Sequence, residues 1–136
     1  MKSTLEVCLL ALALTCVTAA QDPTKATLRK GISVEMPVAR HAVEMLAADN
    51  QDATVVTVTA DGRVFVGVNP TQLNELSRLR AGTIYVKTDA RASYQNMLSV
   101  LDALHGRPIV LLTAPPANAK DGPRVPPYGM KLTLGQ

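Results

Sequence analysis

Aromatic residues are scarce in this chain of 136 residues, which has one Phe, three Tyr and no Trp. Proteins that bind single-stranded nucleic acid stack bases on aromatic side chains, and so few rings leave little for such stacking. The 14 Lys and Arg residues give a net charge of +3, but they are scattered and form no basic run. We therefore expect no nucleic-acid partner and interpret the positive charge as a solvated surface.

Cysteine and histidine are also rare. Cys8 and Cys16 are the two cysteines, and both lie in an apolar run near the amino terminus. If that run is removed or lies in lipid, the remaining chain has no thiol for a disulfide, a zinc site or a nucleophile. His41 and His105 lack the spacing of paired metal ligands, and no Gly-rich phosphate loop or nucleophile elbow is present. The sequence predicts no metal, no cofactor and no enzymatic activity.

A long hydrophobic run is missing as well. Residues 7–20 are 14 uncharged residues, whereas a membrane-spanning helix needs about 20 and runs of about 10–14 are typical of signal peptides. Small residues at 18–20 suit cleavage by signal peptidase. Glu6, however, stands at the start of the run, and ionisable groups at such positions commonly serve proton or ion movement. Residues 1–20 are either a signal peptide or an anchor with a working carboxylate.

An extended segment opens the folded part, after a polar linker at residues 21–30. Ile32, Val34 and Met36 alternate with polar residues, which predicts a half-buried strand that Pro37 ends. The alternating residues are also our candidates for pairing with a partner strand. Residues 38–49 predict a helix or an ordered linker.

A hairpin is the strongest local signal. Two β-branched runs, residues 54–59 and 63–68, flank Asp61-Gly62, a pair that tolerates the positive φ angles of a tight turn. Val64, Val66 and Val68 are predicted to face the core. Asn69-Pro70 is predicted to break the strand.

Two helices are predicted on the same kind of evidence. Residues 71–80 form the first, with Thr71 as its cap. Residues 92–106 form the second, between a Ser93 cap and Gly106 in the left-handed position that ends a helix. Its predicted core-facing stripe consists of Tyr94, Met97, Leu98, Leu101 and Leu104.

Two further strands complete the domain. Residues 83–88 alternate, with Ile84 inward and Tyr85 outward, and residues 108–113 are apolar throughout, as in a strand covered on both faces. The Pro-rich tail at 114–136 ends in a stretch that can pair as an added strand. The predicted fold is α+β, a two-layer mixed sheet with two helices on one face, preceded by one N-terminal hydrophobic helix.

The order of these elements resembles the ExbD/TolR family of biopolymer transport proteins. Four stretches carry the resemblance across residues 31–113: GISVEMP, VVTVTADGRVFVGVNP, TIYVKTDARASYQNMLSVLDALHG and PIVLLT. They are similar to the family's first strand, its hairpin, its strand–Asp–Tyr–helix unit and its last strand. Residues 4–7 and 17–19 are similar to the words that open and close the family's transmembrane helix. That alignment puts Glu6 at the family's proton-carrying Asp position.

The resemblance implies an inner-membrane protein with a periplasmic domain, driven by proton motive force. It implies two partners, an ExbB/TolQ-like proton-channel subunit and a TonB/TolA-like periplasm-spanning protein, and it implies a homodimer. Residues 1–20 would be the anchor, 31–113 the periplasmic domain and 114–136 a tail. The alternative is a secreted periplasmic module that binds a peptide or cell-wall polymer by strand addition. In that case residues 1–20 are a cleaved signal and Glu6 has no role.

Overall fold

Seven strands form one mixed sheet in a computed structural model that describes residues 31–119, 122–123 and 125–133. In chain order the strands are β1 (Val43–Glu44), β2 (Thr54–Val58), β3 (Val64–Val66), β4 (Asn69–Thr71), β5 (Ile84–Thr88), β6 (Ile109–Thr113) and β7 (Tyr128–Leu132). The helices are α1 (Leu73–Leu76) and α2 (Tyr94–Ala103), and a short 3-10 helix spans Leu46–Asp49.

The sheet order is β1-β7-β6-β5-β2-β3-β4. Its centre is parallel, since β5 pairs in parallel with both β2 and β6, and the remaining pairs are antiparallel. The predicted mixed α+β fold with two helices is confirmed. The predicted N-terminal hydrophobic helix lies outside the described residues. Within the described ranges, no helix combines the length and hydropathy needed to cross a membrane.

The predicted hairpin joins β2 and β3. Gly62 adopts φ +83°, and the Thr59 N–H donates to the Arg63 carbonyl at 3.0 Å. The Asp61 carboxylate accepts from the Arg63 Nε–H at 2.7 Å across the turn. The turn forms because Asp-Gly supplies both the acceptor and the backbone freedom it needs.

The predicted break at Asn69-Pro70 is wrong, because these residues belong to strand β4. Gly67 (φ +62°) and Val68 form a two-residue turn that folds the chain back along β3, with Val66 opposite Asn69. Val68 is consequently exposed at the turn, not in the core as predicted. Pro70 is tolerated because β4 is the edge of the sheet.

The first helix is shorter than predicted. Strand β4 takes Thr71, so α1 begins after Gln72, whose N–H donates to the Glu75 carboxylate at 3.1 Å. The helix ends at Leu76, which is fully buried.

The second helix has the predicted cap and part of the predicted stripe. The Ser93 hydroxyl accepts the Asn96 N–H at 3.2 Å. Leu104 is fully buried and Leu101 packs against the core, as predicted. Tyr94 and Leu98, also predicted inward, are 71% and 42% exposed. The buried face is centred on Val100, four residues before Leu104, since residues four apart lie on one side of a helix.

Both helices cover the same face of the sheet. Buried side chains of β2, β3, β5 and β6 meet α1 and α2 there in one apolar cluster: Val56, Val58, Val64, Leu76, Ile84, Val86, Val100, Leu104 and Ile109. We call this the helix-covered face.

The opposite face is covered too, which corrects the prediction that Tyr85 points outward. Residues 31–49, which we call the strap, run along this side, and Met45 and Ala48 are buried in a second cluster with Tyr85, Val110 and Leu112. The predicted two-layer arrangement is therefore incomplete. The strap contains β1 and the 3-10 helix in place of the predicted helix or linker at 38–49.

The predicted added strand is β7, which begins at Tyr128 and lies between β6 and β1. Gly129 is required there, because a Cβ at this position would lie 2.6 Å from the Leu111 carbonyl oxygen and 3.2 Å from the Met45 Cγ. Part of the Pro-rich tail thus belongs to the sheet.

Candidate partner-binding surface

The predicted site residues fall in two regions. Glu6 lies outside the described residues. Ile32, Val34 and Met36 are half-buried while their neighbours Ser33 and Glu35 are exposed, so the predicted alternation is present. The predicted strand is wrong, however, because these residues belong to no strand of the sheet.

The backbone of Glu35 bonds a loop instead of a strand. Its carbonyl oxygen accepts from the Ala90 N–H at 2.7 Å, and its own N–H donates to the Asp89 carboxylate at 3.3 Å. Both partners lie just past the carboxyl end of β5. A backbone group removed from water needs a hydrogen-bond partner. The Glu35 backbone finds its partners in the loop after β5 and not in a neighbouring strand.

The Asp89 carboxylate is a buried hydrogen-bond acceptor on this surface. Its side chain is only 4% exposed, and its oxygens accept from the Arg91 N–H at 2.9 Å, the Arg91 Nε–H at 2.9 Å and the Arg91 Nη2–H at 3.1 Å. These bonds from Arg91, with a smaller one from the Glu35 N–H, hold the pKa of Asp89 far below its ordinary value of 3.8. The carboxylate therefore stays ionised across the physiological range.

Two more backbone bonds fix the strap along the sheet. The Ala114 N–H donates to the Pro37 carbonyl oxygen at 3.0 Å, beyond the end of β6. The Met45 N–H donates to the Pro127 carbonyl oxygen at 2.7 Å, next to the β1–β7 pairing. The strap is thus attached at successive points, beside β5, β6 and β7.

Apolar contacts supplement these bonds. Met36 packs against the second cluster beside Tyr85 and Val110. Within the described ranges, no group of three or more His, Cys, Asp and Glu is placed to hold a metal.

The sequence of this chain matches that of a known protein family. The family model for the biopolymer transport protein ExbD/TolR matches residues 1–113, most of the 136 residues. The chain belongs to the ExbD/TolR family. No curated protein matches it. The predicted resemblance is confirmed, and with it the expectation that the protein is not an enzyme, since ExbD/TolR proteins are transport proteins. Members of this family typically lie in the inner membrane and carry a periplasmic domain.

The ExbD/TolR domain described here has two sheet edges, and one is closed by proline. In a two-residue hairpin the pair beside the turn is hydrogen-bonded, so the next pair, Phe65 and Pro70, turns its backbone groups away from each other. The outward-facing nitrogen of β4 therefore belongs to Pro70, which has no N–H. This edge cannot offer a donor at that position to another strand.

At the other edge, β1 is left uncovered by the described residues. Because the Met45 N–H bonds the Pro127 carbonyl, the neighbouring pair of Glu44 and Tyr128 is not hydrogen-bonded, and the Glu44 N–H and carbonyl face outward. Val43 beside it is 57% exposed. This edge suits an extended peptide that adds a strand.

Sequence reasoning missed Asp89, Arg91 and the β1 edge as functional features. Asp89 follows a strand and precedes Arg91 by two residues, a pattern that indicates a local turn. Its contact with Glu35, 54 residues away, leaves no trace in a single sequence. The β1 edge was hidden in the same way, because β1 exists only through its pairing with β7.

Proposed function

We propose that this ExbD/TolR protein is a subunit of a cell-envelope energy transducer driven by proton motive force. Residues 5–20 stay in the inner membrane, and the folded domain lies in the periplasm. The observation that carries the proposal is the extent of the family match, which begins at residue 1 rather than at residue 31. The apolar run and Glu6 are thus inside the region of family likeness.

Glu6 is the proposed proton carrier. An ionisable group within a transmembrane segment is costly, and where one occurs it commonly serves proton or ion movement. Gain and loss of a proton at the Glu6 carboxyl group would change its charge, and this change can be coupled to movement of the helix. Glutamate performs this exchange as aspartate does, with a side chain one methylene longer.

The proposed partners follow from the family. An ExbB/TolQ-like channel subunit surrounds the membrane helix, and a TonB/TolA-like protein receives the movement in the periplasm. The protein acts as a homodimer. The β1 edge, where the Glu44 backbone faces outward, is the proposed point of strand addition for a periplasmic partner.

The first experiment locates the amino terminus. Intact mass is measured on protein from washed membranes and from periplasm. We expect the full-length mass in the membrane fraction. A soluble product that starts near Ala20 or Gln21 would remove Glu6 from the mature protein and support the alternative, a secreted binding module.

The second experiment tests Glu6 in cells that depend on this protein for energy-driven uptake. Glu6→Gln keeps the size of the side chain and removes the titratable proton, so uptake should be lost at unchanged membrane abundance. Glu6→Asp is the matched control, because it restores the family's residue and should keep uptake. Normal uptake in the Gln variant would refute the proton role.

A further inference from the structure

We infer that Asp89 and Arg91 form a latch that holds residues 31–37 of the strap against the sheet, and that this segment opens as a unit separate from the rest of the domain. The inference concerns the folded domain and does not depend on a proton path. It assigns Asp89 and Arg91 as positioning residues for the chain that leads into the folded part.

The acceptor of the latch, the Asp89 carboxylate, is held in place mainly by Arg91, which is close to it in sequence. Of the donors to the Asp89 carboxylate, three belong to Arg91, two residues further on, and one is the Glu35 N–H. The Asp89 N–H is itself fixed, because it donates to the Val58 carbonyl oxygen at 2.8 Å. Charge-assisted bonds of this kind are stronger than neutral ones. The acceptor is therefore oriented whether or not the strap is present.

Residues 31–37, the segment that opens, are held by few contacts. Residues 31–37 form no strand, and Ile32, Val34 and Met36 are half-buried rather than buried. Among the described residues, three hydrogen bonds hold the backbone of the segment: Ala90 N–H to the Glu35 carbonyl, Glu35 N–H to the Asp89 carboxylate, and Ala114 N–H to the Pro37 carbonyl.

The rest of the strap is held more firmly. It pairs with β7 and buries Met45 and Ala48 in the second cluster. Segments with few buried apolar contacts open at lower free energy than paired strands do. The boundary between the two parts lies next to Pro37.

Opening would change the reach of the chain. Residues 31–37 number seven, and fully extended they would span about 25 Å. A latch at this place therefore sets how far the domain can stand from whatever the preceding chain is attached to.

Amide hydrogen exchange on the full-length protein tests the latch. The reporter is the Ala114 amide, which bonds the Pro37 carbonyl and lies far in sequence from Asp89. In the wild-type protein we expect it to exchange faster than the Val86 amide in β5. In Asp89→Asn we expect exchange at Ala114 to rise by about tenfold while Val86 is unchanged.

The chain offers a matched control in Asp61→Asn. Asp61 also pairs with an Arg two residues on, at 2.7 Å to the Arg63 Nε, but that pair is exposed at the β2–β3 turn and bonds nothing in the strap. Exchange at Ala114 should be unaffected by this change.

A second variant covers the case in which Asp89→Asn unfolds the domain. Glu35→Pro removes the N–H that donates to the Asp89 carboxylate and leaves the Asp89–Arg91 pair intact. It should raise exchange at Ala114 and leave Val86 protected. Equal wild-type rates at Ala114 and Val86, or unchanged Ala114 exchange in a folded latch variant, would overturn the inference.

Discussion

The two faces of the sheet are covered in different ways. On the helix-covered face, the ten-residue helix α2 satisfies many of its own backbone hydrogen bonds, so its position follows mainly from side-chain packing. On the other face the strap has little internal hydrogen bonding and must find partners at the ends of β5, β6 and β7. The helix-covered face is therefore specified by many apolar contacts that can replace one another. The position of the strap on the other face is specified by a few particular hydrogen bonds.

The largest expected effect lies on the helix-covered face. Leu104 is fully buried there, and Leu104→Ala should lower the free energy of unfolding by about 2–5 kcal/mol, because it removes apolar contacts and leaves a cavity. Leu98→Ala is the matched control, since the same change on the exposed side of α2 should stay within about 0.5 kcal/mol. Urea unfolding followed by circular dichroism measures both. Equal effects would mean that the stripe of α2 is assigned to the wrong side.

A smaller effect is expected where the strap meets the sheet. The Cβ added by Gly129→Ala would lie 2.6 Å from the Leu111 carbonyl oxygen and 3.0 Å from the Val110 Cγ1. We expect a loss of about 1–3 kcal/mol from overpacking. Gly82→Ala, where an added Cβ meets nothing within 4 Å, serves as the control in the same unfolding assay. A neutral Gly129→Ala would show that β6 shifts without cost to make room for the added methyl group.

The latch makes stability depend on pH in a defined direction. The pKa of Asp89 is lowered in the folded state, so its stabilising effect is complete above its ordinary value of 3.8 and is lost as the pH falls below it. Asp89→Asn should lower the Tm by several degrees at pH 7. The gap to wild type should narrow as the pH is taken below 3.8. Differential scanning calorimetry at several pH values measures this, and a gap that widens in acid would contradict it.

The smallest effect is expected at Lys87, on the same face as Tyr85. Burial lowers the pKa of Lys87 below 10.5, so the charged form weakens the folded state at neutral pH. Lys87→Met should therefore raise the Tm slightly, and the gain should shrink as the pH approaches 10.5. Lys131→Met, at an exposed position on β7, should leave the Tm unchanged. A lower Tm in Lys87→Met would point to a favourable contact of its ammonium group.

Local chemistry explains what the sequence predicts well. The Asp61-Gly62 turn, the Ser93 cap and the apolar run of β6 each depend on neighbours in the chain, and all three were predicted correctly. The family resemblance was confirmed over residues 1–113. Glu6 and the partner-strand role of Ile32, Val34 and Met36 stay predictions.

Long-range contacts explain what the sequence did not reveal. Tyr85 alternates like an outward residue, but the strap covers it from a distant part of the chain. Tyr94 fits an apolar stripe, yet α2 turns Val100 inward and leaves Tyr94 71% exposed. Pro70 was predicted to break a strand, but it is tolerated within β4 because β4 is an edge strand of the sheet.

The position of β7 has a consequence for synthesis. Val43 on one side of it and Leu112 on the other both pair with Gly129, which follows Val43 by 86 residues and Leu112 by 17. Until Gly129 leaves the ribosome, β1 and this side of β6 lack the strand that pairs with both of them in the folded domain. Distant pairings such as that of β1 with β7 slow folding, so this part of the sheet is completed only after β7 has been made.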